Sequence, residues 1–276
     1  MPSICKQLIS NTEKCDREVY KDDLCIIHHK SDSKPANLFR NIIRDDIYRG
    51  YYNFSHMISY EGFNFEGLKI QKDSNFNFSD SSFYAPFNIN NLKLDISLDF
   101  TNALFDSGIF IKMSNINKEI IMKNTVVNMD LNFSMSNFES INLYNAKINC
   151  NANFTNSDFI KKTTFNHVHF SNNLSLLNVN LKDDFALENI IVEKDADFRN
   201  LIFYKSLKLE NVEIKGTTLP HELIKNENII LKNVLINGTL IKDNQKNKKE
   251  KEKESQEKVK QAKEKIYKET ILNKKI

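Results

Sequence analysis

The sequence predicts an all-β solenoid, a strand wound into stacked coils, with a small cysteine-rich head before it and a charged tail behind it. Three observations predict it. Large apolar residues recur at steps of five and six from Phe78 to Ile214. Inside each six-residue step a second residue, mostly apolar, lies two before the next anchor, which is the same face of an extended strand. Glycine and proline are scarce, six and four in 276 residues, and Trp is absent, so turn-rich sandwiches and collagen-like chains are disfavoured.

The anchors run Phe78, Phe83, Ile89, Leu94, Phe100, Phe105, Ile111, Ile116, Met122, Val127, Phe133 and Phe138. One extra five-residue step leads through Leu143 to Ile148. The alternation then resumes from Phe154 and Phe159 through Leu209 to Ile214. Every anchor is apolar in a chain that is 40% hydrophobic. The companions are Phe87, Leu98, Ile109, Ile120, Leu131, Ala152, Leu174, Phe185, Ala196 and Leu207, with Thr163 the exception. Each 11-residue unit thus supplies three inward side chains. The residues between, such as Ser79 to Ser82 or Asn166 to His169, read as mostly polar and outward. An α-helix is excluded, because steps of five and six throw successive anchors to widely different sides of it.

Repeat-like spacing begins at Phe63 and Phe65, slips around Lys72 and Asp73, and carries on to residue 241 with a break near Pro220 and Lys225, which cannot stack inward. A last turn is expected from Ile229 to Leu240. The triplets Ser136-Asn137-Phe138, Ala152-Asn153-Phe154, Ser157-Asp158-Phe159 and Ala196-Asp197-Phe198 place a small residue two before a Phe. In this, residues 63–241 resemble the pentapeptide-repeat family, whose units carry a central Phe or Leu with a small inward residue two before it. The resemblance implies a right-handed quadrilateral β-helix of about eight coils, roughly 40 Å long at about 4.8 Å per coil. Alternate units here have six residues, so a coil holds 22 residues in place of the family's 20.

The head, residues 1–34, holds Cys5, Cys15, Cys25, His28 and His29. Cys25-Ile26-Ile27-His28 can bring a thiolate and an imidazole to one ion within a single turn, and the two earlier cysteines complete a tetrahedral set. Three thiolates and one imidazole make a closed structural site for Zn²⁺. The segment from Cys15 to His29 resembles the second half of small zinc knuckles, although the gap between Cys5 and Cys15 is longer than their usual close pair. The expected ligands are Cys5, Cys15, Cys25 and His28, with His29 the alternative. Ile26 and Ile27 are expected to face whatever the head packs on.

Residues 35–62 open with a helical period. Leu38, Ile42, Asp45 and Arg49 follow one line and Phe39, Ile43 and Ile47 a neighbouring stripe, between Pro35 at the start and Gly50 at the stop. This helix is expected either to cover the open end of the first coil or to pack on the rod's side. Residues 242–276 are a charged linker and a weak helix carrying 13 basic and seven acidic side chains.

The net charge of +3 resides in that tail, since residues 1–62 balance and 63–241 sum to −3. A near-neutral body argues against a broad nucleic-acid face. It argues equally against the strongly negative wall that DNA mimicry toward a topoisomerase, a role of one pentapeptide subfamily, requires. Nucleic-acid binding through the knuckle would rely on Arg17, Lys21 and Lys30. No leader or membrane-spanning run is evident, so the expected compartment is the cytoplasm. The abundance of Asn is read as genome composition.

No phosphate loop, His-Glu-x-x-His or Gly-x-Ser-x-Gly motif occurs. His167 and His169 read as an outward surface pair near Lys161 and Lys162. Asp183, Asp184, Asp195 and Asp197 read as solvated acids, and Cys150 as a small core or turn residue. The expectation is a non-enzymatic scaffold that binds a protein partner through its wall, with no membrane role and with a rod end open to pairing with a second copy.

Overall fold

The computed structural model describes residues 3–8, 13–219 and 229–241. From Asn53 onward the chain winds as an all-β parallel solenoid of about eight turns. Strand pairing between successive coils is parallel throughout, in one 19-stranded ladder and one 8-stranded ladder. Phe87 pairs with Ile109, Ile109 with Leu131, Leu98 with Ile120, and Leu209 with Leu231. The 22-residue coil is therefore real. Each coil's backbone groups are satisfied by the coils above and below, which is why polar outer residues do not interrupt it.

Two departures in register account for the irregular points of the sequence. Phe63 pairs with Phe87, two residues beyond the regular period, whereas Ser74 already pairs with Ile96 in step. The extra residues therefore lie between Asn64 and Ser74, around the slip at Lys72 and Asp73. Farther on, Ile116 pairs with Phe138 at the full period, but Ile120 pairs with Ile141, one residue short. The missing residue is the one that makes the step from Phe138 to Leu143 five long.

Every anchor is buried except Leu94 and Phe203, which are half-buried against the core, and every companion is buried, Thr163 included. The core has a fourth inward position, which the apolar spacing does not reveal and which the family resemblance implied at Ser136 and Ser157. Ser81, Ala103, Ser114, Thr125, Ser136 and Ser157 are buried three residues after an anchor, and Val168 and Val179 follow them. Ser81 and Val168 thus point inward, against the expectation for Ser79 to Ser82 and Asn166 to His169. The hydroxyls bond carbonyls of the preceding coil, as Ser136 Oγ does to Ile111 O at 3.0 Å and Ser157 Oγ to Phe133 O at 2.7 Å. A small hydroxyl there satisfies a buried carbonyl without widening the coil.

The Asn content also has a structural cause. Two residues after alternate anchors the backbone turns with positive φ, at Asn91, Asn102, Asn124, Asn145, Asn156, Asn178 and their counterparts. Asn tolerates that conformation better than other L residues with a β-carbon. It also stacks: Asn124 Nδ2 donates to Asn102 Oδ1 at 2.9 Å, and Asn145 Nδ2 to Asn124 Oδ1 at 2.8 Å. Genome composition is therefore not needed to explain these residues.

The helix Ala36–Tyr48 (α1) starts after Pro35 and stops at Gly50, whose φ of +81° suits a residue without a β-carbon. Its stripe of Phe39, Ile43 and Ile47 joins the same continuous core as the first coil. At the other end, Ile229–Ile236 pairs in step with Leu207–Ile214, and Thr239–Ile241 folds back on it antiparallel. The expected last turn is thus a hairpin. The break near Pro220 and Lys225 and the tail 242–276 lie outside the described residues.

Candidate metal centre

The head folds on three short antiparallel bridges, Ile4 with Glu18, Leu8 with Lys14 and Lys21 with Leu24. Cys5 N donates to Arg17 O at 2.9 Å, Cys15 N to Gln7 O at 2.9 Å, and Tyr20 N to Leu24 O at 2.8 Å across a turn in which Asp22 and Asp23 take positive φ. These contacts bring Cys5 and Cys15 beside the turn that starts at Cys25. There His28 N and His29 N both donate to Cys25 O, at 3.1 and 3.0 Å, so Cys25 and His28 lie on one side of a single turn.

The four expected ligands meet. One ligand atom from each of Cys5, Cys15, Cys25 and His28 lies within 4.8 Å of all the others, and all four residues are buried. Cys15 Sγ to Cys25 Sγ is 3.8 Å, Cys25 Sγ to His28 Nδ1 is 3.4 Å, and Cys5 Sγ to His28 Nδ1 is 3.5 Å. In a tetrahedral centre with metal–sulfur lengths of about 2.3 Å and metal–nitrogen lengths of about 2.0 Å, the S···S and S···N edges are about 3.8 and 3.5 Å. The donor set fits a metal ion. His29 does not join it: its Nε2 lies 3.1 Å from Asp22 Oδ2 and its Nδ1 accepts from Ser31 N.

The surroundings favour thiolate at Cys15. Cys15 is held down to about 3, first by the hydrogen bond from Cys25, and Cys25 is raised in turn by donating to it. The Arg17 guanidinium lies 3.7 Å from Cys15 Sγ. Cys25 N donates to Cys5 Sγ at 3.2 Å. Sulfurs that accept N–H bonds carry negative charge at lower cost, as a ligand to a cation must.

The centre is mounted on the rod by side chains for which the sequence carries no local signal. His28 Nε2 bonds the carbonyl of Ser55 at 3.0 Å, which leaves Nδ1 for the cluster. Arg17 Nε donates to Asp46 of α1 at 2.9 Å and its terminal nitrogen to Asn53 O at 3.1 Å, with the guanidinium over the Tyr51 ring. Ile58 N donates to Ile27 O, so the head supplies the backbone partner of the first strand. Lys34 Nζ closes the same corner on Ile58 O at 2.5 Å, and burial brings its ammonium down to about 8. Ile26 and Ile27 are buried, as expected. Arg17 is therefore committed to the interior and is not a free cation for nucleic acid.

The remaining chemistry-bearing residues serve the architecture. His169 is bound to Glu193 at 2.9 Å and Lys161 to Glu139. Asp183 pairs with Lys205, Asp197 with Arg199, and Asp184 and Asp195 accept from Ser206 and Thr217. Cys150 is a buried core residue whose thiol is pushed up to about 11 by desolvation. Among the described residues, no helix is long and apolar enough to cross a membrane.

No protein-family model, no curated protein and no solved structure matches this chain significantly.

Proposed function

We propose that this chain is a non-enzymatic cytoplasmic scaffold of the pentapeptide-repeat type. Its wall binds a protein partner, and its N-terminal cluster holds one structural Zn²⁺. The observation that carries the binding role is an apolar patch on one corner of the rod. Ile160, Ile202 and Tyr204 are exposed there at 46, 50 and 63%. Asp158, Asn180 and Ile202 stack in register, so Ile160, Lys182 and Tyr204 form the neighbouring column. Lys182 lies over the Tyr204 ring at 4.6 Å and 3.8 Å from Asp158. One exposed aromatic and two exposed aliphatic side chains, with Lys182 lying between Ile160 and Tyr204, on a rigid repeat wall, suit a protein contact.

Zinc is the reading the donor set supports, because three thiolates and an imidazole in a closed set suit a soft tetrahedral ion that performs no chemistry. The unbridged thiols agree with a reducing compartment. A pull-down from the cell that makes the chain, with wild type beside an Ile202→Asp/Tyr204→Asp variant, tests the wall. A stoichiometric partner captured by wild type and lost by the variant supports the reading. Equal capture by both removes it.

A further inference from the structure

A cleft of about 730 Å³ runs between the head and α1. One side is the segment Asp16 to Tyr20, and the other is the line Leu38, Ile42, Asp45 and Arg49. That line is the face of α1 opposite in role to Phe39, Ile43 and Ile47, which are buried in the core.

The segment Asp16 to Tyr20 that lines this cleft is held to the head by isolated antiparallel bridges on one edge only, with a bend at Arg17. Cys5 N bonds Arg17 O and Val19 N bonds Ser3 O, with Ile4 and Glu18 forming the bridge between them. In an antiparallel pair, residues alternate in the direction of their backbone groups. The N–H and C=O groups of Asp16 and Glu18 therefore point away from residues 3–8. Among the described residues they take no backbone partner. Unpaired groups on such an edge are a template for an added strand.

The side chains around that edge define what the strand would be. Asp16 and Glu18 are exposed on one face of the segment, and Arg17 and Val19 lie toward the other, where Arg17 reaches Asp46. On that second face Leu38 is 43% exposed and Ile42 is half-buried. Asp45 adds an exposed acid at the rim. Arg49 is the only lining cation outside the Arg17–Asp46 pair.

We propose that this cleft binds an extended basic segment of a partner protein, added as a strand along Asp16 to Glu18. Lysines or arginines of the segment lie beside Asp16 and Glu18. The alternate residues are aliphatic and rest on Leu38 and Ile42. This contact is separate from the wall patch at Tyr204, and either can fail without the other.

Fluorescence anisotropy with the full-length, metal-loaded chain tests it. The probe is a labelled, terminally blocked peptide, Lys-Val-Lys-Ile-Lys-Val-Lys. Saturable binding is expected, weakened at least about tenfold by Asp16→Lys/Glu18→Lys and by Leu38→Asp. Both variants alter exposed positions, and unchanged melting curves confirm that they fold. A peptide N-methylated at every second residue, which removes the bonds to the edge, is expected to lose about the same. Equal binding of the methylated peptide overturns strand addition. Equal binding of a peptide with Glu for Lys, or no binding at all, overturns the proposal. If the peptide binds only after truncation at Ile241, the occupant is this chain's own segment 242–276 and not a separate partner.

Discussion

His28 Nε2 lies 3.0 Å from the carbonyl oxygen of Ser55, so the same imidazole that faces three thiols also holds the first coil. The head and the rod share this bond, the Ile58–Ile27 backbone bond and the Arg17 clamp. The Cys/His cluster is thus a fastening for the rod's end.

Replacing Cys25 or His28 by Ala should therefore cost more than the metal. The first expected outcome is loss of one zinc per chain, read by elemental analysis. The second, read by hydrogen exchange, is lost protection over residues 1–34 and also over 53 to 59. Coils beyond Phe87 should keep theirs, because each is paired to its own neighbours. Metal-free wild-type protein purified without chelator would end the zinc assignment.

Phe159→Asp should be severely destabilising. The ring lies 5.9 Å from Phe154, 5.8 Å from Phe138 and 5.7 Å from Phe185, and is 1% exposed. Truncating such a ring costs about 3–5 kcal/mol, and an unpaired carboxylate left in its place adds to that. Denaturant unfolding should show little or no folded baseline for this variant. A wild-type melting curve would mean the side chain is not in the core.

The period of the coil was legible because an inward strand residue must be apolar and the coil must repeat, so Phe78 through Ile214 wrote the register directly. The cluster was legible because Cys25 and His28 share one turn. Other features were hidden for physical reasons. Ser81 looks like a surface residue until the carbonyl it satisfies, 27 residues earlier on the preceding coil, is known. The Arg17–Asp46 bond joins residues 29 apart in sequence through tertiary packing alone. The Asn positions had a periodicity that could have been read, since they follow the anchors by two, but their meaning lies in a backbone angle.

Cys150 gives a pH dependence. Its thiol is pushed from an ordinary 9.0 to about 11 by burial. The folded state then holds its proton over a range where the unfolded state has lost it. Its contribution is fully present below pH 9 and is lost as pH rises through about 11. Wild type should lose up to about 2–3 kcal/mol more than Cys150→Ala between those limits. Native protein at pH 8 should also resist alkylation at Cys150, as peptide mapping can show. Parallel pH profiles for the two proteins would refute the assignment.

The Met113 and Met135 corners give a prediction of opposite sign. Both have positive φ, 53° and 56°, where the neighbouring corners of the same column carry Asn91, Asn156, Asn178 and Asn200. An L residue other than Asn or Asp in that conformation costs about 1–2 kcal/mol. Each methionine is 49% exposed, so packing offsets only part of this. The column below them is bonded, with Asn178 Nδ2 donating to Asn156 Oδ1 at 2.8 Å and Asn200 Nδ2 to Asn178 Oδ1 at 2.9 Å. Met113→Asn/Met135→Asn should relax both corners and extend that ladder, because the Asn156 amide gains an acceptor. The double variant should gain about 1–3 kcal/mol, a rise of several degrees in Tm. Single substitutions should gain less than half of that, since each forms one ladder bond, with Asn91 or with Asn156, where the double variant forms both and a third between them. A fall in Tm would show instead that the two thioethers hold the corners by contacts worth more than the backbone strain.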